Sequence, residues 1–97
     1  MPLEQKEAAL ERVLDEVEDL ANRVAELKGR FARQRVSVKL QHYWELEYVR
    51  TGFAEFKRCI QDLEFADERE LETFQEAVEL AWKDLVHAVD TLLAALP

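Results

Sequence analysis

The sequence predicts an all-α protein, an up-down-up three-helix bundle with heptad seams, and three observations carry that prediction. Apolar residues recur at alternating spacings of three and four along most of the chain, the period of one helix face. Two glycines and two prolines in 97 residues supply too little turn punctuation for a sandwich or barrel of short strands. The balance of 48% apolar to 35% charged residues is that of a globular chain with a core. The length holds one domain, and a lone cysteine offers no internal disulfide. Residues 1–97 therefore read as a single helical domain held by packing alone.

The first helix is expected over about 3–28. Leu10, Val13, Val17, Leu20, Val24, Leu27 and Phe31 form a seam over three heptads, flanked by charged residues and alanines. Pro2 suits the first turn of a helix, and Glu4 and Glu7 complement the positive end of its dipole. Val17 and Val24 at one seam position with Leu20 and Leu27 at the other is the pattern of two-stranded pairing. The Leu10–Phe31 seam is therefore a candidate homodimer surface as well as a candidate bundle face.

A joint is expected over about 29–37, with Gly29 as a left-handed cap and Val36-Ser37-Val38 as the stretch least suited to a helix. The alternative is a continuous helix over residues 3–64, a rod of about 90 Å, followed by a helix over 67–96. Such a rod would have to oligomerise to cover its stripe. The second helix, about 38–64, carries His42, Leu46, Val49, Phe53, Phe56, Ile60 and Leu63 in phase across Gly52. That phase places Gly52 inside the helix, where it permits close approach of another backbone.

The third helix, about 68–96, has the clearest start. Asp67-Glu68-Arg69-Glu70 resembles a capping box in which Asp67 accepts from the amide of Glu70. Ala66 and Leu71 occupy the staple positions. Its seam runs through Leu71, Phe74, Val78, Ala81 and Trp82, Leu85, Val89, Leu92 and Leu96.

Function is narrowed mainly by what the residues do not assemble. The glycines lie too far apart for a phosphate loop, and Cys59 has no histidine near it in sequence to act as a base; a half-buried bundle cysteine is expected. The only histidines raise one metal hypothesis. His42 and Glu45 are three apart on the second helix, and Asp84 and His87 are three apart on the third. In an antiparallel hairpin all four would stand within about one turn of each other, a donor set suited to Zn²⁺ or a similar ion. The alternative places His42 at the seam edge and His87 in solvent.

Charge supplies the strongest surface signal. Residues 27–44 contain no acid and five cations, Lys28, Arg30, Arg33, Arg35 and Lys39, whereas residues 67–97 carry eight acids against Arg69 and Lys83. Arg30, Arg33, Arg35 and Lys39, with Tyr43, Trp44 and Tyr48 beside them, form a candidate partner-binding surface. The competing reading is that cations gather where the first helix ends because its dipole favours them there. The acids Asp15, Glu16, Glu18 and Asp19, with Glu68, Glu70, Glu72, Glu76 and Glu79, define a second alternative, an anionic face that imitates nucleic-acid phosphates. A net charge of −8 makes binding to nucleic acid itself an unfavourable role. With no basic-then-apolar leader and no long apolar run, a cytoplasmic location without membrane contact is expected. The reading that follows is a non-catalytic interaction, assembly or regulatory module with no cofactor.

Overall fold

The computed structural model describes residues 3–65 and 67–97, and the side chains of all of these except residues 3–6 and 68. The expectations placed on Pro2, Ala66 and the side chains of Glu4 and Glu68 lie outside the described residues. Four helices follow one another: α1 (Leu3–Ala32), α2 (Val36–Gln41), α3 (Tyr43–Glu64) and α4 (Glu68–Ala95). α4 packs on both α3 and α1, and the three long helices form a bundle of 52 × 18 × 16 Å.

Contacts across the bundle establish its direction. Arg12 meets Glu79 and Arg23 meets Asp90, the same offset at two levels, so α1 and α4 run parallel. α3 runs against both. Its first turns share a groove with the end of α4, and its later turns share one with the middle of α4. This is the up-down-up arrangement. The long-rod alternative is overturned, because the chain turns back after Ala32 and the whole molecule measures 52 Å in its longest direction.

α1 continues one turn beyond its expected end. Phe31 is buried, and burying a ring of that size outweighs the modest helix cost of Gly29. Gly29 is consequently helical, with no positive φ at any described glycine, and is not a left-handed cap. The seam position after Phe31 falls on Gln34, which has no apolar surface to bury, and there the helix stops. Arg33 and Gln34 close it by donating to the carbonyls of Arg30 and Phe31, the tighter bonding common at helix ends. The Gln34 carboxamide adds bonds to the Arg30 carbonyl at 3.1 Å and to the Pro97 carbonyl at 3.3 Å. Arg35 is extended (φ −64°, ψ 154°).

The break thus occupies residues 33–35, not the whole of 29–37. Val36-Ser37-Val38, expected to be non-helical, opens α2 instead, and Val38 packs against the core. The expected second helix is divided in two at His42 (φ −107°, ψ 12°). His42 donates its N–H to the Val38 carbonyl and accepts from the Leu46 N–H, so α2 and α3 share this residue and no loop separates them.

Packing follows the expected seams closely. Val13, Leu20, Val24, Leu27 and Phe31 of α1 meet Leu46, Val49, Phe56, Ile60 and Leu63 of α3, with Leu71, Val78, Leu85, Val89 and Leu92 of α4 and Leu96 just beyond it, in one buried cluster. The Leu10–Phe31 seam is therefore taken up inside the chain, in one of its two candidate roles, that of a bundle face. Gly52 lies within α3, as its phase predicts. Its close neighbour, however, is a side chain and not a backbone: a Cβ at residue 52 would stand 2.6 Å from Leu85 Cδ2. At the start of α4, Asp67 accepts from the amides of both Arg69 (3.0 Å) and Glu70 (2.9 Å), a cap worth about 1 kcal/mol.

Candidate interaction surface

The end of the bundle where α1 stops and α3 starts gathers the residues that the charge pattern singled out. Arg30 lies in the last turn of α1, Arg33 in the turn, Arg35 at the cap of α2 and Lys39 in its last turn. Tyr43, Trp44 and Tyr48 project from the first two turns of α3, all three exposed. Tyr43 and Trp44 meet edge to face, with ring centroids 5.1 Å apart, an arrangement favoured by the ring quadrupoles.

Two members of this surface were not among the expected residues. Val36 and Leu40, on α2, are 70% and 71% exposed, and Trp44 is 79% exposed. With Tyr48 they form a stripe at spacings of four, out of phase with the buried seam through Val38, Leu46 and Val49. Such a second apolar phase, spread over α2 and the start of α3, is legible in sequence once the seam is known, because two apolar phases cannot both face one core.

Charge around the stripe is uneven. Among the described residues no carboxylate pairs with Lys28, Arg30, Arg33, Arg35 or Lys39. Elsewhere the arginines with known partners are held: Arg12 by Glu79 (2.8 Å) and Glu16 (3.7 Å), Arg23 by Asp90 (2.9 Å) and Asp19 (3.0 Å), and Arg50 by Glu47 (3.4 Å). Beside the stripe, Lys28, Lys39, Tyr43 and Arg50 border a depression floored by Phe31 and Leu46. On its other side Trp44, Tyr48, Gly52 and Phe56 face Ala81, Asp84 and Leu85 across an open groove of about 640 Å³. This groove carries acids, Glu47, Glu55 and Asp84. The Tyr48 hydroxyl donates to Asp84 at 2.6 Å, and that bond, with the carboxylate charge, holds the phenol above its ordinary pKa.

The proposed metal tetrad is not assembled. His42 Nδ1 lies 3.0 Å from Glu45 Oε2, whereas Asp84 is engaged by Tyr48 and His87 lines a neighbouring groove with Trp44 and Thr91. Among the described residues no three His, Cys, Asp or Glu side chains come together as a metal site. His42 and Glu45 meet as residues three apart on a helix do, and Tyr48 takes up Asp84. Cys59 is exposed in the α3–α4 groove and not half-buried as expected.

The acidic face is partly neutralised. Glu16, Asp19, Glu79 and Asp90 all hold an arginine of α1. Glu16 itself is pushed above the ordinary carboxylate range, first by burial and then by Glu79, against the smaller opposing effect of Arg12. Of the nine acids of that face, the ion pairs engage Glu16, Asp19 and Glu79.

Among the described residues no helix is long and apolar enough to cross a membrane. The fold and its exposed end define the class, an all-α helical bundle with one aromatic and basic end. Comparison with protein-family models, with curated proteins and with solved structures yields no match.

Proposed function

We propose that the protein is a non-catalytic interaction module whose docking surface is the end formed by α2 and the first turns of α3. The observation that carries this reading is the coincidence, on one end, of the exposed Val36, Leu40, Trp44 and Tyr48 side chains with cations that find no carboxylate partner among the described residues. A stable bundle gains nothing from exposing four large apolar side chains in a row, whereas an interface gains its core from them and its rim from the cations. Support for a non-catalytic role comes from the three grooves beside α3, which are open and mostly apolar along their walls. Their polar groups pair locally, Tyr48 with Asp84 and His42 with Glu45, instead of converging on one point where a reacting atom could sit. The same local pairing argues for an interaction role over a metal-binding one, and the arginine-bound acids of α1 and α4 argue against phosphate mimicry.

Amine-reactive cross-linking in the native host tests the proposal. Cross-links to other polypeptide chains should concentrate on Lys28 and Lys39 and fall away in the L40S/W44A variant. Links spread equally over Lys57 and Lys83, and indifferent to the substitutions, would defeat it.

A further inference from the structure

We infer that the occupant of this surface is an acidic segment of another protein, with an apolar side chain seated in the depression between α1 and α3 and carboxylates on the cations around it; the inference rests on the docking surface proposed above. The depression, of about 430 Å³, is floored by Phe31 from the last turn of α1 and Leu46 from the first turn of α3. Its rim carries Lys28, Lys39 and Arg50 against one acid, Glu47, and Arg50 already pairs with that acid at 3.4 Å. Lys28 and Lys39 have no carboxylate partner among the described residues. Arg30, Arg33 and Arg35 extend the same charge through residues 27–44, which contain no acid. In a chain of net charge −8 this run is a local exception. Unpaired cations around an apolar floor are complementary to carboxylates around an apolar side chain.

The boundary of the cationic zone selects the kind of partner. Tyr43 lines the depression, and Trp44, edge-on to it, lines the two grooves on the α4 side. Those grooves carry Glu45, Glu55 and Asp84 and have no lysine or arginine among their lining residues. Asp84 keeps its charge there, because the Tyr48 hydroxyl that donates to it is neutral. An anionic bilayer broad enough to meet the cations while Trp44 and Tyr48 dip into it would press its phosphates against these acids. A nucleic acid would do the same, and its phosphates have no use for a floor of Phe31 and Leu46. A single polypeptide segment is narrow enough to stay on the cationic side. It places carboxylates beside an apolar side chain, and the protein that bears it covers the adjoining stripe.

Fluorescence anisotropy of the full chain tests this with three short labelled peptides that share a central leucine and phenylalanine and differ in their flanks, glutamate, glutamine or lysine. The glutamate peptide should bind below millimolar concentration and the glutamine peptide about tenfold or more weakly. The lysine peptide should not bind, and the preference should fade in high salt. K28E/K39E should weaken the glutamate peptide by about tenfold or more and admit the lysine peptide. K28Q/K39Q, which reverses no charge at the end of α1, should show the loss without the gain. Binding that ignores the flanks, a glutamate peptide that does not bind below millimolar, or wild-type affinity in both variants overturns the inference. So does tighter binding, through Lys28 and Lys39, to phosphatidylserine vesicles or duplex DNA than to the glutamate peptide. Self-association of the chain alone that K28Q/K39Q abolishes would put a second copy in the depression and overturn it as well. Peptides that fail this test while cross-links in the host still depend on Leu40 and Trp44 overturn the acidic partner and leave the docking surface standing.

Discussion

The α1–α4 seam and the α2–α3 end use the same residue types, aliphatic and aromatic stripes edged with arginine and lysine, in opposite ways. Along the seam every stripe residue has a partner in the chain, and Arg12 and Arg23 each clasp one acid on their own helix and one on α4. At the other end the stripe through Val36, Leu40 and Trp44 faces outward, and its neighbouring cations pair with nothing described. The first region accounts for stability. The second retains interaction capacity that folding did not use, and a partner can.

Truncation gives the sharpest contrast. Leu27 is fully buried and Leu40 largely exposed. Leu27→Ala should cost about 3 kcal/mol through lost burial and the cavity left behind, and Leu40→Ala should stay within about 0.5 kcal/mol of wild type. Urea denaturation of dilute protein reads both. Equal costs would mean that the end is part of the folding core after all.

The two glycines make the next comparison. Gly29 is helical with open space where a Cβ would go, so Gly29→Ala should stabilise by somewhat under 1 kcal/mol. Gly52→Ala has the same gain in helix propensity but must displace the Leu85 methyl. It should show a smaller gain or a loss, and a Leu85→Val background should recover part of the difference.

Ion pairs are weaker probes. Arg23→Met should lower stability by about 0.5 kcal/mol, an effect that fades in high salt. Arg35→Met should leave it unchanged, because Arg35 is exposed and pairs with no acid among the described residues.

The smallest expected effect is set by pH. The folded state raises the Glu16 pKa, so the native protein disfavours the ionised form. The stabilising effect of a proton there is complete below the ordinary carboxylate range and is lost as pH rises through the folded value. Glu16→Gln should therefore raise stability slightly at pH 7, by an amount on the order of a few tenths of a kcal/mol. The advantage should disappear below about pH 4. An advantage that persists in acid would assign the effect to packing instead.

Much of the bundle was legible before any coordinates. The seams of α1, α3 and α4 emerged at the expected positions because a heptad stripe has one way to be buried, and the Asp67 cap is a local matter of one side chain and two amides. The joint was harder. Gly29 and the β-branched Val36 and Val38 carry local signals for a break, but propensities of about 1 kcal/mol or less were outweighed by the burial of Phe31 on one side and Val38 on the other. The break moved to Gln34, where the seam lacks an apolar residue. The interaction surface was half legible. Its charge is visible as a run without acids, and its aromatics stand beside that run, but Val36 reads as part of a stretch unsuited to a helix and Leu40 gives no signal of its own.

The order of the seams, the position of the cap and the separation of cations from acids were determined by the sequence alone, because each depends on spacing along one helix. Tertiary structure decided which stripe is hidden and which is displayed. A heptad seam does not specify whether its partner lies in the same chain or another, and that choice followed from the turn at residues 33–35. The turn folds α3 back along α1, lays α4 over both and fills the Leu10–Phe31 seam from within. It also leaves the α2 stripe facing outward, because α2 leaves the turn with its other face, through Val38, already packed on the core.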